Sequence, residues 1–323
     1  MQGGRVRTGV GSPSVVATVA GVAAMVTIAG TVLPLDVAAV DGRRYTTAWT
    51  GPGSATGIPL YGIPLTLTAL VLIAAAVLML RRSRRGAVAA VTAAAGLLVG
   101  LVVTIRLAAS ATARNVELQR SRFPDLQAVD TPGIGAWLLM VAAVLAVVAA
   151  VLAPRALRGD DNEPPGGSRP GAALVAVLAA ALAVVGSFLA ITVTTFAGNP
   201  PSVGYATGWS FAVEPGPPGD AGQATALVGV PLVIAAAALL LGALIVLDMR
   251  GAERAAPLLT VAAGVVAGVF VAIWIAWLAL VDAQSIADIG ITTTLGAGAW
   301  VLLAATLVAA GLCVVLWLQP RRP

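Results

Sequence analysis

The sequence contains no histidine and no lysine, and its single cysteine is Cys313. Without histidine the chain lacks the commonest metal ligand and a frequent general base, and one cysteine cannot form an internal disulfide or a cysteine-ligated metal site. Charged residues make up only 10% of the chain, and no acidic residue lies deep in an apolar segment, where proton or sodium coupling usually needs one. No Walker motif and no nucleophile–base pair is present. We therefore expect a protein that is not an enzyme and that uses no cofactor or metal.

Apolar residues dominate the chain. Hydrophobic residues form 59% of the 323 residues, and the mean hydropathy is +0.97. A run of about 20 apolar residues crosses a bilayer, and backbone groups in lipid must pair internally, which favours helices. Eight runs reach this length and predict an all-α polytopic membrane protein. The predicted spans are residues 14–35, 59–80, 86–108, 134–153, 171–195, 225–247, 255–281 and 297–318.

The arginines indicate the orientation of the spans. Short loops rich in arginine tend to stay in the cytoplasm. Five arginine-containing segments fall on one side of an eight-span chain, so both termini are predicted to be cytoplasmic. The net charge of +5 follows from these arginines beside the spans and does not indicate nucleic-acid binding. The segments contain Arg5 and Arg7; Arg81, Arg82, Arg84 and Arg85; Arg155, Arg158 and Arg169; Arg250 and Arg254; and Arg321 and Arg322.

Short motifs recur in the same order in the two halves of the chain. Gly62-Ile63-Pro64-Leu65 matches Gly229-Val230-Pro231-Leu232 near the start of the second and sixth spans. Gly133-Ile134-Gly135-Ala136-Trp137 matches Gly296-Ala297-Gly298-Ala299-Trp300 at the fourth and eighth spans. Ordered matches at a nearly constant offset indicate a tandem repeat. Each copy has four spans, an even number, so both copies enter the membrane from the same side and an axis along the membrane normal would relate them.

The repeat divides the chain into three parts. Residues 1–158 form the first four-helix membrane repeat, and residues 171–323 form the second. Residues 159–170 are polar and rich in proline and glycine, which is typical of a flexible linker, here a cytoplasmic one. A cleaved signal peptide is the alternative for the first span. That span is longer than a usual signal core, and its counterpart in the second half must be a retained helix.

Two glycine pairs stand at matching positions of the third and seventh spans. Gly96 and Gly100 are four residues apart, as are Gly264 and Gly268. Small residues at this spacing leave a flat groove on one helix face, where another helix can approach closely. We predict that these glycines are helix-packing sites within the chain. A seam between two copies in a homo-oligomer is the alternative.

The first outer loop of each half contains a similar aromatic segment. Tyr45–Thr50 has the sequence Tyr-Thr-Thr-Ala-Trp-Thr, and Tyr205–Ser210 has Tyr-Ala-Thr-Gly-Trp-Ser. Aromatic and β-branched residues alternate there, which predicts a short strand ended by the following prolines and glycines. Each half would then carry a small extracytoplasmic β-element, either a cap on the helix ends or a recognition surface. The recognition candidates are Tyr45, Trp49, Tyr205 and Trp209.

Arginines on the outer side form a second group of candidates. Arg106 lies in the last turns of the third span, where a charged residue is a functional candidate by default, although its side chain can snorkel to the interface. Arg114 follows on a predicted helical extension. Together with Arg43 and Arg44 of the first outer loop, they form a candidate site for an anionic headgroup or an envelope glycan. The alternative is pairing with the nearby acids Glu117, Asp125 and Asp130.

The Gly-x-Gly-Ala-Trp start of the fourth span and the arginine-rich inner ends resemble four-span membrane proteins of actinobacteria, of the tryptophan-operon-associated type. The heavy use of alanine, valine, glycine and arginine is typical of a GC-rich bacterial gene. The resemblance covers each half separately. It implies no reaction, because that family has no established chemistry and its operon name refers to gene neighbourhood only. Four helices with a stranded first outer loop also resemble claudin-like proteins in outline. The paired loop cysteines of claudins are missing here, so neither their function nor their residues apply.

Together these features predict an integral accessory or scaffold protein of the bacterial inner (plasma) membrane. Its partners would be membrane lipids and a membrane or envelope protein, contacted through the outer loops and the small-residue helix faces, and not nucleic acid. The alternative is a passive carrier or lipid-handling protein that uses a cavity between the two repeats. An outward-facing cavity or one between the repeats would favour the carrier, whereas a solid interior would favour the scaffold.

Overall fold

The described part of the chain forms eight long helices and two small antiparallel sheets. The computed structural model describes residues 12–39, 43–50, 60–81, 84–122, 129–157, 170–197, 202–214, 227–247, 252–287 and 290–318. Within these residues, each of the eight helices is long and apolar enough to cross a membrane. The prediction of a mainly helical, polytopic membrane protein with eight spans is therefore confirmed. The predicted linker, residues 159–170, lies outside the described residues except for Pro170.

Helices and strands follow the same order in both halves, apart from one additional strand in the second. The helices are α1 (Pro13–Val32), α2 (Gly62–Leu80), α3 (Arg84–Arg122), α4 (Ile134–Leu157), α5 (Pro170–Phe188), α6 (Gly229–Leu247), α7 (Ala252–Ala287) and α8 (Ala297–Leu318). The strands are β1 (Asp36–Ala39), β2 (Arg43–Thr46), β3 (Val129–Pro132), β4 (Thr192–Phe196), β5 (Ser202–Ala206), β6 (Phe211–Glu214) and β7 (Ile291–Leu295).

The ends of several helices differ from the predicted spans. The span predicted for residues 171–195 was too long, since α5 ends at Phe188 and β4 begins at Thr192. The segment Thr192–Phe196 contains β-branched residues that fit a pleated strand, and it pairs with β5 and β7. At the other extreme, α3 and α7 continue beyond the predicted spans, to Arg122 and Ala287. Both long helices therefore extend past the length that a bilayer requires.

Each half is a four-helix bundle. Each of its helices contacts two neighbours around a ring: α1 and α3 both pack against α2 and α4. Helices α5 to α8 pack in the same way, and α3 with α7 forms the main contact between the halves. Alanines allow close approach of the helices, and leucines fill the space between them. The buried leucines include Leu65, Leu72, Leu98 and Leu139 in the first core and Leu232, Leu239, Leu259 and Leu302 in the second.

Three strands of the second sheet pair in the same arrangement as the three strands of the first. The first sheet has the order β2-β1-β3, and the second has β6-β5-β4-β7. Asp36 opens β1 and lies opposite Thr46 and Pro132 of its neighbouring strands. Thr192 opens β4 and has the corresponding position between β5 and β7. The register thus makes Asp36 and Thr192 equivalent positions.

Both sheets lie at one end of their bundles. Each strand follows the end of an odd-numbered helix and precedes the start of an even-numbered one. Arg81, Arg85 and Arg155 lie at the opposite helix ends. The sheets and the arginine-rich segments are therefore separated by the full length of the apolar helices.

Candidate functional site

The four predicted packing glycines meet in one contact between α3 and α7. A Cβ on Gly96 would lie 2.1 Å from the carbonyl oxygen of Val261 and 3.0 Å from the Cα of Gly264. A Cβ on Gly100 would likewise lie 3.0 Å from the Cα of Gly268. No side chain fits at these distances, so the helices touch backbone to backbone. We call this contact, formed by Gly96, Gly100, Gly264 and Gly268, the glycine seam.

The order of the glycine pairs gives the relative direction of the two helices. Gly96 faces Gly264, and four residues later Gly100 faces Gly268. In an antiparallel pair, the first glycine of one helix would face the second glycine of the other. Helices α3 and α7 therefore run parallel to each other.

The aromatic segment of the first outer loop makes a sharp turn. Strand β2 ends at Thr46. The Thr47 side-chain oxygen then accepts hydrogen bonds from the backbone N–H groups of Trp49 and Thr50, both at 3.1 Å. Thr207 makes the same pair of bonds in the second half, at 3.1 and 2.9 Å. A threonine side chain bound to the backbone two and three residues later stabilises a turn and competes with a strand.

This turn corrects the predicted course of the two segments. Tyr45 and Tyr205 lie in β2 and β5 as expected for extended chain. The prediction of continuous strands through Trp49 and Trp209 was wrong, because Thr47 and Thr207 bond to the backbone N–H groups that a strand would offer to a neighbour. The tyrosines and tryptophans therefore do not share one face of a strand.

Each turn places its tryptophan against the first glycine of the next helix. A Cβ on Gly62 would lie 2.3 Å from the Trp49 ring, and a Cβ on Gly229 would lie 2.2 Å from the Trp209 ring. Trp209 also donates a hydrogen bond from Nε1 to the hydroxyl of Ser187 at 3.1 Å. Trp49 is 39% exposed. The structure thus gives both tryptophans a packing contact at a helix start and leaves part of Trp49 accessible.

Backbone hydrogen bonds tie these turns to the helices in the same pattern in both halves. The Ala48 N–H donates to the carbonyl of Thr31 at 3.3 Å, and the Gly62 N–H donates to the carbonyl of Ala48 at 2.8 Å. The corresponding two bonds in the second half are each 2.8 Å and join Ser187, Gly208 and Gly229. Each turn is therefore fixed both to the end of one helix and to the start of the next.

Arg106 meets a carboxylate at the sheet end of the first bundle. Its Nη1 lies 3.7 Å from Oδ1 of Asp36, and the two side chains are 25% and 26% exposed. A small crevice lies beside the pair, with room for about one water molecule. Its apolar walls come from the residue before β1 and from α3 and α4, and they consist of Leu35, Val102, Ile105, Ala136 and Leu139.

The other arginines of the predicted anion site are placed by their backbones. Arg43 and Arg44 lie in β2 opposite residues of β1, and Arg114 lies in the extension of α3 beyond its apolar segment. Their side chains, and that of Glu117, lie outside the described part of the structure. Asp125, backbone and side chain alike, lies outside the described residues. Of the four predicted arginines, Arg106 is thus the one with a described contact.

The position equivalent to Arg106 carries an aromatic cluster in the second half. Arg106 is six residues after Gly100, and Trp274 is six residues after Gly268. The Trp274 ring centroid lies 5.9 Å from that of Phe270, 5.3 Å from that of Trp277 and 6.4 Å from that of Trp300. The second half therefore has Thr192 and Trp274 where the first has Asp36 and Arg106.

Buried hydroxyl groups in the described helices bond to the backbone of their own helix. Thr68, Thr104 and Thr260 each donate to the carbonyl four residues earlier, at 2.7 or 2.8 Å. Within the described residues there is no group of three or more histidines, cysteines, aspartates or glutamates that could hold a metal ion. No protein-family model, curated protein or solved structure matches the chain.

Proposed function

We propose that the chain is a non-enzymatic accessory or scaffold protein of the bacterial cell envelope, built from a tandem repeat of a four-helix membrane unit. The observation that carries the proposal is the glycine seam. Backbone contact between α3 and α7 joins the two bundles and holds their two sheets at one end as a fixed pair. The parallel direction of these helices and the matching hydrogen bonds of the two turns support a repeat related by an axis along the membrane normal.

The charge distribution supports an orientation with the sheets outside the cell. Arg81, Arg85 and Arg155 lie at the helix ends opposite the sheets. Arginine-rich short segments favour the cytoplasmic side. Both termini and the linker would then be cytoplasmic, and the sheets would be extracytoplasmic elements of a plasma-membrane protein.

The glycine seam supports a scaffold in preference to a carrier. A carrier with its path between the two repeats needs space between α3 and α7, but those helices touch at Gly96 and Gly264. The crevice beside Asp36 and Arg106 lies within the first half and has room for about one water molecule. A closely packed interior of this kind suits a protein that positions a membrane or envelope partner.

The second sheet offers a surface for such a partner. Thr195 pairs with Thr292, and Thr294 lies opposite Val193 on the same face. All three threonines are exposed. The exposed hydroxyl and methyl groups form a mixed surface of the kind that protein interfaces use at their rim.

Site-specific photo-crosslinking tests this proposal. A photoreactive amino acid at Thr195 or Thr292 should cross-link one and the same envelope protein, and this protein should co-purify with the full chain in mild detergent. Matched positions on the exposed sides of helices, Leu174 and Leu244, should cross-link lipid instead. Charge reversal at Arg43 and Arg44 in the first sheet should weaken capture of the partner without changing the melting temperature.

The outcome that would contradict the scaffold role is equally specific. If both sheet positions give no protein adduct above the level found at Leu174 and Leu244, the sheets do not contact a partner. Lipid transfer between vesicles by the purified protein, abolished by locking α3 to α7 with a disulfide, would instead assign the carrier role.

A further inference from the structure

We propose that one face of the second sheet binds a carbohydrate. This face, which we call the hydroxyl face, is formed by Tyr205 of β5, Thr195 of β4, and Thr292 and Thr294 of β7. The inference deepens the proposed function and rests on its orientation, because envelope glycans reach the sheet only if it lies outside the cell. It names the chemistry by which the scaffold recognises its partner.

The register of the second sheet brings these four side chains to one side. Val193 of β4 lies opposite Tyr205 on one neighbouring strand and opposite Thr294 on the other. Two residues along β4, Thr195 lies opposite Thr292. Residues directly opposite each other, and residues two apart in one strand, project to the same side of a sheet. Tyr205 and Thr195 are therefore diagonal neighbours, about 7–8 Å apart and within reach of one ligand.

The two sides of the sheet differ in how they are packed. On the side opposite the hydroxyl face, Thr293 is only 5% exposed. A Cβ on Gly204, also on that side, would lie 2.8 Å from the ring of Phe211 and 3.3 Å from that of Phe196. The threonines of the hydroxyl face are exposed and Tyr205 is partly exposed. The hydroxyl face is therefore the side of the sheet that a ligand can approach.

Contacts within the sheet hold the hydroxyl groups in place. Thr195 and Thr292 form a threonine pair, in which the two hydroxyl oxygens contact each other and Thr195 also donates to the carbonyl of Thr292 at 3.3 Å. The Thr294 hydroxyl donates to the carbonyl of Val193 at 3.5 Å. A threonine hydroxyl has one donor hydrogen and two acceptor lone pairs. Each group therefore keeps the capacity to bond to a ligand from a fixed position.

A tyrosine ring beside fixed hydroxyl groups matches the chemistry of a sugar. A sugar ring has a face rich in C–H groups and an edge rich in hydroxyls. The aromatic ring of Tyr205 offers an apolar surface with a polar tip, on which the C–H face can stack. The threonine pair then lies at the distance where the hydroxyl edge needs hydrogen-bonding partners, and these partners fix the orientation of the ligand.

The size of the hydroxyl face favours a short oligosaccharide. Strands β4, β5 and β7 have five residues each, which corresponds to about 17 Å, and four strands span about 14 Å. The side of the sheet thus measures about 240 Å². A stable protein interface takes about 800 Å² from each partner. A carbohydrate carried by the partner can bind within this area, whereas the surface of a folded domain needs more.

The first sheet provides an internal comparison. Val37 of β1 lies opposite Tyr45 and opposite Thr131, so the tyrosine and one threonine recur. The positions equivalent to the threonine pair are Ala39 and Val129, which lie opposite each other and carry no hydroxyl. We therefore assign the carbohydrate site to the second sheet alone.

The test measures sugar binding by the purified full-length protein. The protein is held in lipid nanodiscs, since detergents with sugar headgroups would compete, and is titrated with fluorescently labelled linear trisaccharides of glucose, galactose, mannose and arabinose. The wild type should bind at least one of them. Thr195→Val and Thr292→Val should each lower its affinity about five-fold, the loss of one hydrogen bond, because valine preserves the strand. Tyr205→Ala should lower it at least about ten-fold.

Thr192→Val is the matched control. Thr192 is in the same strand as Thr195 but lies opposite Leu295, on the other side of the sheet, so this variant should bind as the wild type does. Failure of the wild type to bind any of the trisaccharides overturns the proposal. Unchanged affinity in Thr195→Val also overturns it, and Thr292→Val decides the matter if that variant fails to fold.

Periodate, which cleaves the vicinal diols of sugars, separates this inference from the scaffold role. A partner that cross-links at Thr195 in cells should no longer be captured from a periodate-treated envelope extract. Undiminished capture after that treatment contradicts the carbohydrate site and leaves the scaffold role intact. Trisaccharide binding without any cross-linked protein supports the site, contradicts the protein scaffold role and assigns the sugar to an envelope polysaccharide in place of a glycoprotein.

Discussion

Gly100 of α3 and Gly268 of α7 face each other with no side chain between them: a Cβ on Gly100 would lie 3.0 Å from the Cα of Gly268 and 2.4 Å from the carbonyl oxygen of Val265. Alanine at either position must push the two helices apart. We expect Gly100→Ala and Gly268→Ala each to lower the free energy of unfolding by about 1–3 kcal/mol, the usual cost of overpacking. Thermal denaturation in mild detergent measures the effect.

Two other helical glycines supply the control for this prediction. A Cβ on Gly21 or Gly311 would meet nothing within 4 Å. Alanine there should leave stability unchanged or raise it, because alanine favours a helix over glycine by about 1 kcal/mol. If alanine at Gly100 and at Gly21 gave equal melting temperatures, backbone contact at the glycine seam would be refuted.

The two turn tryptophans should differ in their contribution to stability. Trp49 and Trp209 both pack on a helix-starting glycine, but Trp209 also bonds to Ser187 and stacks on Phe188 with ring centroids 5.5 Å apart. We expect Trp209→Ala to cost about 2–4 kcal/mol and Trp49→Ala about 1–2 kcal/mol. Ser187→Ala removes only the hydrogen bond and should cost about 1 kcal/mol. Folded yield and melting temperature give the order, and a larger loss for Trp49→Ala would contradict it.

Cysteine labelling tests the proposed orientation. The background is Cys313→Ser, which removes the one native thiol. A cysteine at Thr195, in the second sheet, should react with an impermeant maleimide on intact cells. A cysteine at Ser83, between α2 and α3, should react only after the cells are permeabilised. Labelling of the Ser83 position on intact cells would show that the predicted orientation is wrong.

Tyr61 makes stability depend on alkaline pH. Tyr61 precedes α2 and packs against the first core, and burial raises the pKa of its phenol from 10.0 to about 12. The folded state therefore holds this proton more tightly than the unfolded chain does. Its contribution is complete below pH 10 and is lost as the pH rises to about 12. Tyr61→Phe, which cannot ionise, should show a smaller fall in melting temperature over that interval, and identical profiles would disprove the assignment.

Much of the architecture follows from local features of the sequence. Apolar runs predict the eight helices because the length needed to cross a bilayer is fixed. The spacing of Gly96 and Gly100 marks a face for close packing, but spacing alone does not state which helix occupies it. The structure supplies that partner as α7. The predicted strand through Trp49 was wrong because the Thr47 hydroxyl accepts hydrogen bonds from backbone N–H groups that a strand would direct to its neighbour.

The contact between Asp36 and Arg106 was beyond the reach of sequence analysis. Seventy positions separate the two residues in the numbering, and no periodic pattern connects a strand residue with a residue of a distant helix. They meet because β1 leaves the end of α1 beside the last apolar turns of α3. A comparison of the two halves at the level of strand register reveals the position, since it aligns Asp36 with Thr192.

Because the glycine seam lies within one chain, the association of the two bundles does not depend on protein concentration. Two separate membrane proteins joined by such a contact would associate by mass action, and the joined fraction would change with their abundance in the bilayer. Here both helices belong to one polypeptide, so the contact forms at any expression level. Each bundle can also acquire substitutions that its counterpart does not share, as Asp36 with Arg106 and Thr192 with Trp274 illustrate. The chain therefore keeps the two bundles in a fixed one-to-one ratio, although their residues at the sheet end differ.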